Sequence, residues 1–367
     1  MNSTPLATEH SQINSRQIAF FAAFVLPTYK LMETPSLLAG FLQGDILLPA
    51  FLHFLVEAVL LFGVLFVISR SEKTLFERLT DALGIWVKPL YGVLCVFFLL
   101  AAVLPLLDLE KFVYAVFYDT APTIFSFAFF FLFAAFLATK GIRALGRFAD
   151  LALFLFLVPF LLLIVMSLVE TDFSNLLPIF EKTFGDTMYA MNYTKAHFID
   201  AALLFPLFMH LRYKKGDGKK IMTGYGVGAG LTLLFLAVFY SLFSSIAPRE
   251  HYAFAKIAQY YPVLSVVGRF DLLLVYLLCI TLFVYTATPL HYAVHFVSNV
   301  LPIKGKTLPA AAVCLAAFVF TLFCNKYYNG IYAFFGNTLP VLFYIFDFAP
   351  LLVFLLLFKK DKEGTHA

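Results

Sequence analysis

Residues 18–42 read IAFFAAFVLPTYKLMETPSLLAGFL: an apolar run from Ile18 to Leu26, the interruption Pro27-Thr28-Tyr29-Lys30-Leu31-Met32-Glu33-Thr34-Pro35, and apolar sequence again from Leu37. Two prolines eight apart remove two backbone donors and clash with the preceding turns. Lys30 and Glu33, three residues apart, share one face wherever helix persists. A helix rising 1.5 Å per residue needs about 20 residues to cross a bilayer, and this stretch is long enough. Irregular, charged backbone at membrane depth is tolerated only where it faces protein or a water-filled cavity. The stretch therefore predicts a membrane helix broken in its middle, beside something polar.

Working outward, further apolar runs repeat along the chain. The predicted spans are at about 16–43, 46–69, 88–108, 121–139, 145–168, 187–212, 219–246, 263–298, 307–324 and 333–358, with boundaries good to a few residues. The fourth and fifth are divided only by Thr139-Lys140-Gly141. The composition agrees: 62% hydrophobic, 47 Phe and 13% charged, with a mean hydropathy of +0.89. A soluble fold of this length needs far more polar surface. The runs lack the period-2 alternation of barrel strands, so the predicted class is an all-α polytopic membrane protein.

Basic residues set the orientation. One side collects Arg16; Arg70, Lys73, Arg78 and Lys88; Lys140, Arg143 and Arg147; Arg212, Lys214, Lys215, Lys219 and Lys220; Lys304 and Lys306; and Lys359, Lys360 and Lys362. The other offers Lys111, Lys182, Arg249, Lys256 and Lys326, diluted by Asp108, Glu110, Asp119, Glu170, Asp172, Glu181 and Glu250. The count of 18 against 5 places both termini in the cytoplasm. The net charge of +4 then reflects topology and gives no reason to expect nucleic acid as a partner.

Residues 1–15 are polar, without the basic and apolar regions of a cleaved signal, and read as a cytosolic tail. Residues 359–367 read as a second one. Between them a single transmembrane domain, 16–358, is expected. Arg70 to Val87 is an amphipathic cytosolic connector, with Leu75, Leu79 and Leu83 at helical spacing; Asp172 to Asp186, with Pro178, is its external counterpart. Both are expected to be short helices on the membrane surface. Cys95, Cys279, Cys314 and Cys324 are scattered within spans without metal or redox spacing. Phosphate-loop, HExxH and Gly-x-Ser-x-Gly patterns do not occur, so neither enzyme chemistry nor a metal or cofactor is expected.

Ten spans with both ends inside divide into five and five, about 16–168 and 187–358, and any repeat between them must be inverted. The sixth span holds the position of the first and is also interrupted. Met191-Asn192-Tyr193-Thr194-Lys195-Ala196-His197-Phe198-Ile199-Asp200 is a polar island, followed by an apolar run with Pro206. Breaks at matching positions point to a central site. Its candidate ligand-binding residues are Thr28, Tyr29, Lys30, Glu33, Thr34, Asn192, Tyr193, Thr194, Lys195 and His197. Structurally, Pro27 is otherwise a kink, Lys30 a snorkelling side chain, and Lys195 with Asp200 an ion pair.

Other ionisable groups inside the spans are Glu57, with His53 one turn earlier, Arg269, Asp271, His291, His295 and Asp347. Charge at that depth faces the bundle interior. Glu57 reads as a proton relay or as a counter-ion to Lys30 or Lys195. Asp200, Asp271 and Asp347 read likewise as coupling or pairing groups. Tyr240 and Tyr285 are candidate cavity residues beside Tyr29 and Tyr193.

Ile13-Asn14-Ser15-Arg16-Gln17 leads into the first span, and Thr139-Lys140-Gly141-Ile142-Arg143-Ala144-Leu145-Gly146-Arg147-Phe148-Ala149-Asp150 into the fifth. Asn175-Leu176-Leu177-Pro178-Ile179-Phe180-Glu181 precedes the sixth, and Tyr261-Pro262-Val263-Leu264-Ser265-Val266-Val267-Gly268-Arg269-Phe270-Asp271 enters the eighth. In this order the stretches resemble the B subunits of endospore nutrient germinant receptors, the spore germination permeases of the amino acid–polyamine–organocation superfamily. The resemblance implies a LeuT-like five-plus-five inverted repeat with a ligand site between the broken first and sixth helices. It also implies a small amino-acid-like germinant, a place in the inner spore membrane, and receptor A and C subunits as partners. Superfamily members commonly grip a carboxylate with Gly-rich unwound backbone in the first span. Here no glycine occurs before Gly40, so Lys30 either holds a carboxylate, replaces a coupling cation or blocks the ordinary site. The function classes are then a germinant-binding receptor subunit, a proton- or sodium-coupled amino acid transporter, or a structural subunit with a vestigial pocket.

Overall fold

The first helix breaks where its backbone lacks a donor. The computed structural model describes residues 13–70, 73–117, 123–178, 180–260, 270–301, 305–348 and Leu351. The chain enters as α1 (Ser15–Phe20), passes a π-helical turn (Phe21–Val25) and ends as α2 (Leu26–Lys30). After Leu31–Glu33 it restarts as α3 (Thr34–Leu42), with Pro35 in the first turn. An unbroken helix would have the Leu31 carbonyl accept from the amide four residues on, and that residue is Pro35, which has no N–H. The Leu31 carbonyl accepts instead from the Phe254 amide at 3.2 Å, and that of Met32 from the Ala253 amide at 3.1 Å.

A 3₁₀ turn (Gln43–Ile46) leads into α4 (Leu47–Ile68), followed by α5 (Leu75–Leu83), α6 (Val87–Phe117), α7 (Thr123–Thr139) and α8 (Ile142–Ser167). The sixth-span region is α9 (Phe184–Thr194), a 3₁₀ turn (Lys195–His197), non-helical Phe198 and Ile199, and α10 (Asp200–Phe208). Then come α11 (Asp217–Phe243), α12 (Ala253–Tyr260), α13 (Phe270–Val300), α14 (Thr307–Asn325), α15 (Tyr328–Asn337) and α16 (Pro340–Phe348). No strand occurs among the described residues.

Six helical stretches are long and apolar enough to cross a membrane: Thr34–Ile68, Leu75–Val116, Ile142–Ser167, Asp217–Arg249, Asp271–Val300 and Thr307–Asn325. The pair α15 and α16, bent by 52°, makes a seventh if counted as one span. They mark an integral membrane protein, and the surface agrees. Helix α4 exposes Phe51, Leu55, Val59, Phe62 and Phe66 along one stripe and buries Phe54, Glu57, Leu61 and Val64 on the other. A contiguous apolar stripe facing outwards suits lipid.

Several expected boundaries change. The first and sixth spans are not continuous helices of spanning length, because of their breaks, and the described part of the fourth has 17 residues. The third does not stop at 108. Helix α6 runs to Phe117, so Asp108 and Glu110, expected in an external loop, are buried on a helix. The connector expected on the cytosolic side forms α5, capped by Thr74 and Glu77 in a reciprocal capping box. The connector expected on the outer side, also expected as a short helix, is a 3₁₀ turn (Phe173–Leu176) and otherwise irregular among its described residues before α9. Buried Asp45 clamps it by accepting from the Phe180 amide at 2.7 Å and the Lys182 amide at 2.9 Å. The tails at 1–12 and 359–367, Arg269, and 352–358 of the tenth span lie outside the described residues.

Helix α11 lies against the first helix through glycine. A Cβ on Gly224 would fall 2.4 Å from the Ala19 carbonyl oxygen, and one on Gly228 2.5 Å from that of Ala22, whereas Gly226 and Gly230 face open space. The Gly224-x₃-Gly228 spacing thus lets two backbones touch beside the π-helical turn. Nearby, two of the stretches quoted above meet: Gln17 donates to Asp150 at 3.1 Å and Arg16 pairs with it at 3.1 Å.

Candidate functional site

The two interrupted segments converge on a buried charged centre. Lys30, at the end of α2, donates to Asp200 at 2.6 Å, and both side chains are almost fully buried. Asp200 occupies the first turn of α10. Lys195, at the other break, donates to Glu57 of α4 and to the Phe198 carbonyl, each at 2.8 Å, and contacts Asp347 of α16. Its ammonium also stands 4.9 Å from the Tyr344 ring centroid. The expected Lys195–Asp200 pair is therefore replaced by a crossed arrangement, each lysine finding its carboxylate on another segment. Lys30 is no snorkelling residue, because at 1% exposure it has no route to water.

The N-terminus of α10 holds this centre together. Glu57 accepts from the Ala201 amide at 2.8 Å, and Asp347 from the Ala202 amide at 3.3 Å. Unpaired amides at a helix start attract anions, and here two of the chain's own carboxylates occupy them. His53, one turn before Glu57, stacks on Phe198 at 4.3 Å and hydrogen-bonds the Met191 carbonyl at 3.1 Å.

An aromatic layer adjoins the charged centre. The Tyr29 ring lies between His197, at 5.0 Å and 5°, and Tyr285, at 5.1 Å and 18°. Its hydroxyl donates to Asp108 at 2.6 Å, and Tyr328 donates to the same carboxyl group at 3.0 Å. His197 uses both ring nitrogens, one with Thr34 at 3.1 Å and the other with Tyr332 at 3.1 Å. One imidazole thus joins α3, the second break and α15.

Next to this layer is a cavity of about 570 Å³ lined by Glu33, Leu37, Lys111, Tyr193, His251, Tyr252, Tyr328, Asn329 and Tyr332. That volume is in the range of small-molecule sites. Lys30 and Glu33 do not share a face: Lys30 turns to Asp200, and Glu33 is met by His251 at 2.9 Å. Of the residues singled out in the sequence, Glu33 and Tyr193 line the cavity, while Tyr29, Thr34 and His197 form the layer behind it. Lys30, Lys195, Glu57, Asp200 and Asp347 form the charged centre.

Four candidates lie away from the cavity. Thr28 bonds back to the Phe24 carbonyl at 3.1 Å and Thr194 to that of Ala190 at 2.8 Å, each within its own helical segment, and the Thr194 hydroxyl also meets the His53 ring nitrogen at 3.4 Å. Asn192 is half-buried and does not line the cavity. Asp271, in the first turn of α13, lies about 20 Å along the axis from Tyr285, at 1.5 Å per residue. Asp108, Lys111, His251, Tyr252, Tyr328 and Tyr332 were not expected here. Their only sequence signal was a run of charge and tyrosine at predicted span ends.

The family model described as spore germination protein matches residues 49–330, a region holding most of α4 through α14 and the second break. No curated protein matches the chain significantly. With the match covering well over half of its length, the chain belongs to the spore germination protein family.

Proposed function

We propose that this chain is the membrane subunit of a spore nutrient germinant receptor. It binds a small amino-acid-like germinant in the cavity beside the two breaks and signals by shifting between two packings of its halves. One observation carries the reading: both interrupted segments meet at a single centre, with Glu33 of one and Tyr193 of the other in the wall of the same cavity. On this reading the chain is a single domain, residues 16–358, whose ten spans form a LeuT-like inverted repeat. Both termini are cytoplasmic, the membrane is the inner spore membrane, and A and C subunits complete the receptor.

A second reading, a proton- or sodium-coupled transporter, is favoured by a charge count. Three carboxylates (Glu57, Asp200 and Asp347) face two ammonium groups (Lys30 and Lys195). Surplus charge at bilayer depth is costly, so one proton or monovalent cation would balance the set.

The test is a thermal-shift screen of the purified protein against amino acids, sugars and nucleosides, repeated with Glu33→Gln and Tyr193→Ala. A ligand that binds only the folded state raises its stability with concentration. The proposal expects a shift with an amino-acid-like class that weakens in both variants. A shift unchanged in both overturns this placement, and silence to every compound favours the vestigial-pocket subunit. Flux into liposomes then separates receptor from transporter: binding without uptake supports the receptor.

A further inference from the structure

Glu33 is buried at the end of the first break, and its partner comes from solvent. His251 is 60% exposed, sits on the link between a 3₁₀ turn (Ser244–Arg249) and α12, and meets the carboxylate at 2.9 Å. The link is pinned where α12 begins, by the amides of Ala253 and Phe254 on the carbonyls freed by the break. Tyr252, between His251 and this anchor, has φ +58°, a left-handed conformation unfavourable for a residue with a side chain. That backbone sets the His251 imidazole over Glu33 while the Tyr252 ring packs edge-on to Phe112 at 5.4 Å.

The neighbouring wall is aromatic: Tyr252 and Tyr332 line it, and Tyr328 beside them carries the Lys111 ammonium 5.4 Å from its ring centroid. Aromatic rings attract cations through their quadrupole, and best those that are weakly hydrated. Resting on the reading of the cavity as a ligand site, we propose that Glu33, Tyr252 and Tyr332 form a subsite for an organic ammonium group. His251 is its tethered plug, which leaves Glu33 when that group binds. A buried carboxylate needs a compensating cation, and an exposed imidazole on a surface link can be exchanged for one without repacking the core.

The charged and titratable neighbours of His251 are Glu33, Glu250, Lys256 and, in the cavity wall, Lys111. The hydrogen bond to Glu33 pushes the His251 pKa above its ordinary value, aided by the charges of Glu33 and Glu250 and opposed by burial and Lys256. Lys256 is itself paired with Glu250 at 3.4 Å. The cationic plug is therefore fully formed below the ordinary histidine pKa of about 6.5 and is lost as pH rises through the raised value. A ligand ammonium stays charged throughout, so its affinity falls on acidification, by at most about tenfold per pH unit for one competing proton.

The experiment titrates the full-length purified protein with ethylammonium chloride at about pH 8.5 and pH 6, against sodium chloride at matched ionic strength. Native protein is expected to bind ethylammonium at least about fivefold more tightly at the higher pH, within the single-proton limit. His251→Gln is expected to bind at both pH values as native protein does at the higher one. His251→Lys keeps a cation that does not titrate and is expected to bind weakly at both. Affinity independent of pH in the native protein, pH dependence retained in His251→Gln, or no ethylammonium binding at either pH overturns the proposal. Amino acids tested alongside separate the two readings. A response to them without one to ethylammonium sinks the ammonium subsite and leaves the cavity's role standing; silence to both sinks both.

Discussion

Replacing Lys195 by Met would leave Glu57 and Asp347 facing each other at the start of α10 with no ammonium between them. The three side chains are almost completely buried, so water cannot take the place of the lost charge. Removing one member of such a set costs about 3–5 kcal/mol, because the remaining charge is left uncompensated. With an unfolding entropy of roughly 2.1 cal/mol/K per residue, a chain of 367 residues would lose about 4–6 °C in Tm. The four buried, unpaired cysteines make the assay simple: a thiol-reactive fluorophore reports their exposure as the detergent-solubilised protein melts. Glu57→Gln is the milder change, about 1–2 kcal/mol, since Lys195 keeps Asp347 and the Phe198 carbonyl, and the new amide oxygen still accepts from Ala201. The triple variant Lys195→Met, Glu57→Gln, Asp347→Asn removes the three charges that meet at Lys195, leaves the Lys30–Asp200 pair in place and retains acceptors for both α10 amides. It should recover most of the loss. If Lys195→Met melts with the native protein, or the triple variant melts as low as the single one, Lys195 is not the counter-ion that holds this centre.

Gly224→Val drives a side chain into the Ala19 backbone and should cost 1–3 kcal/mol or more, whereas Gly226→Val enters open space and should stay within about 0.5 kcal/mol; the same melt compares them. Tyr29→Phe removes one of the two hydroxyls on buried Asp108 and should cost about 1–3 kcal/mol, the range for a buried polar group that loses a partner. Combined with Asp108→Asn it should cost less than the two single changes together, and strict additivity would mean that the pair is not coupled.

The breaks were legible in the sequence because proline and polar islands leave local marks. Pro35 withdraws an identifiable donor from an identifiable carbonyl, and Lys195 to Asp200 interrupts an apolar run. Partners were not legible, because each pair spans a long separation: Lys30 meets Asp200 170 residues away, and Lys195 meets Glu57 138 away. Local spacing suggested Lys195 with Asp200 and one face for Lys30 with Glu33, yet the breaks rotate the members of both pairs apart. Asp108 was misplaced for another reason. Hydropathy ends a span where charge begins, but Asp108 is satisfied by Tyr29 and Tyr328 and the helix runs on. Gly224-x₃-Gly228 was present to be read; only packing shows which of the two overlapping glycine pairs faces the first helix.

How the breaks are satisfied constrains how any ligand is read. The carbonyls freed at Leu31 and Met32 already accept from α12, and that of Phe198 accepts from Lys195. The free amides of α10 at Ala201 and Ala202 already hold Glu57 and Asp347. Recognition through unwound backbone would have to displace these partners from a buried centre, at the cost of stranding charge. Side chains in the cavity carry no such penalty: Glu33, Tyr193 and Tyr332 are reached without opening the charged centre. Tyr332 is bonded to His197, which is bonded to Thr34 just beyond the first break. A ligand that moves Tyr332 therefore acts on both breaks through one imidazole. It biases the packing of the halves only as far as it binds the two arrangements with different affinity.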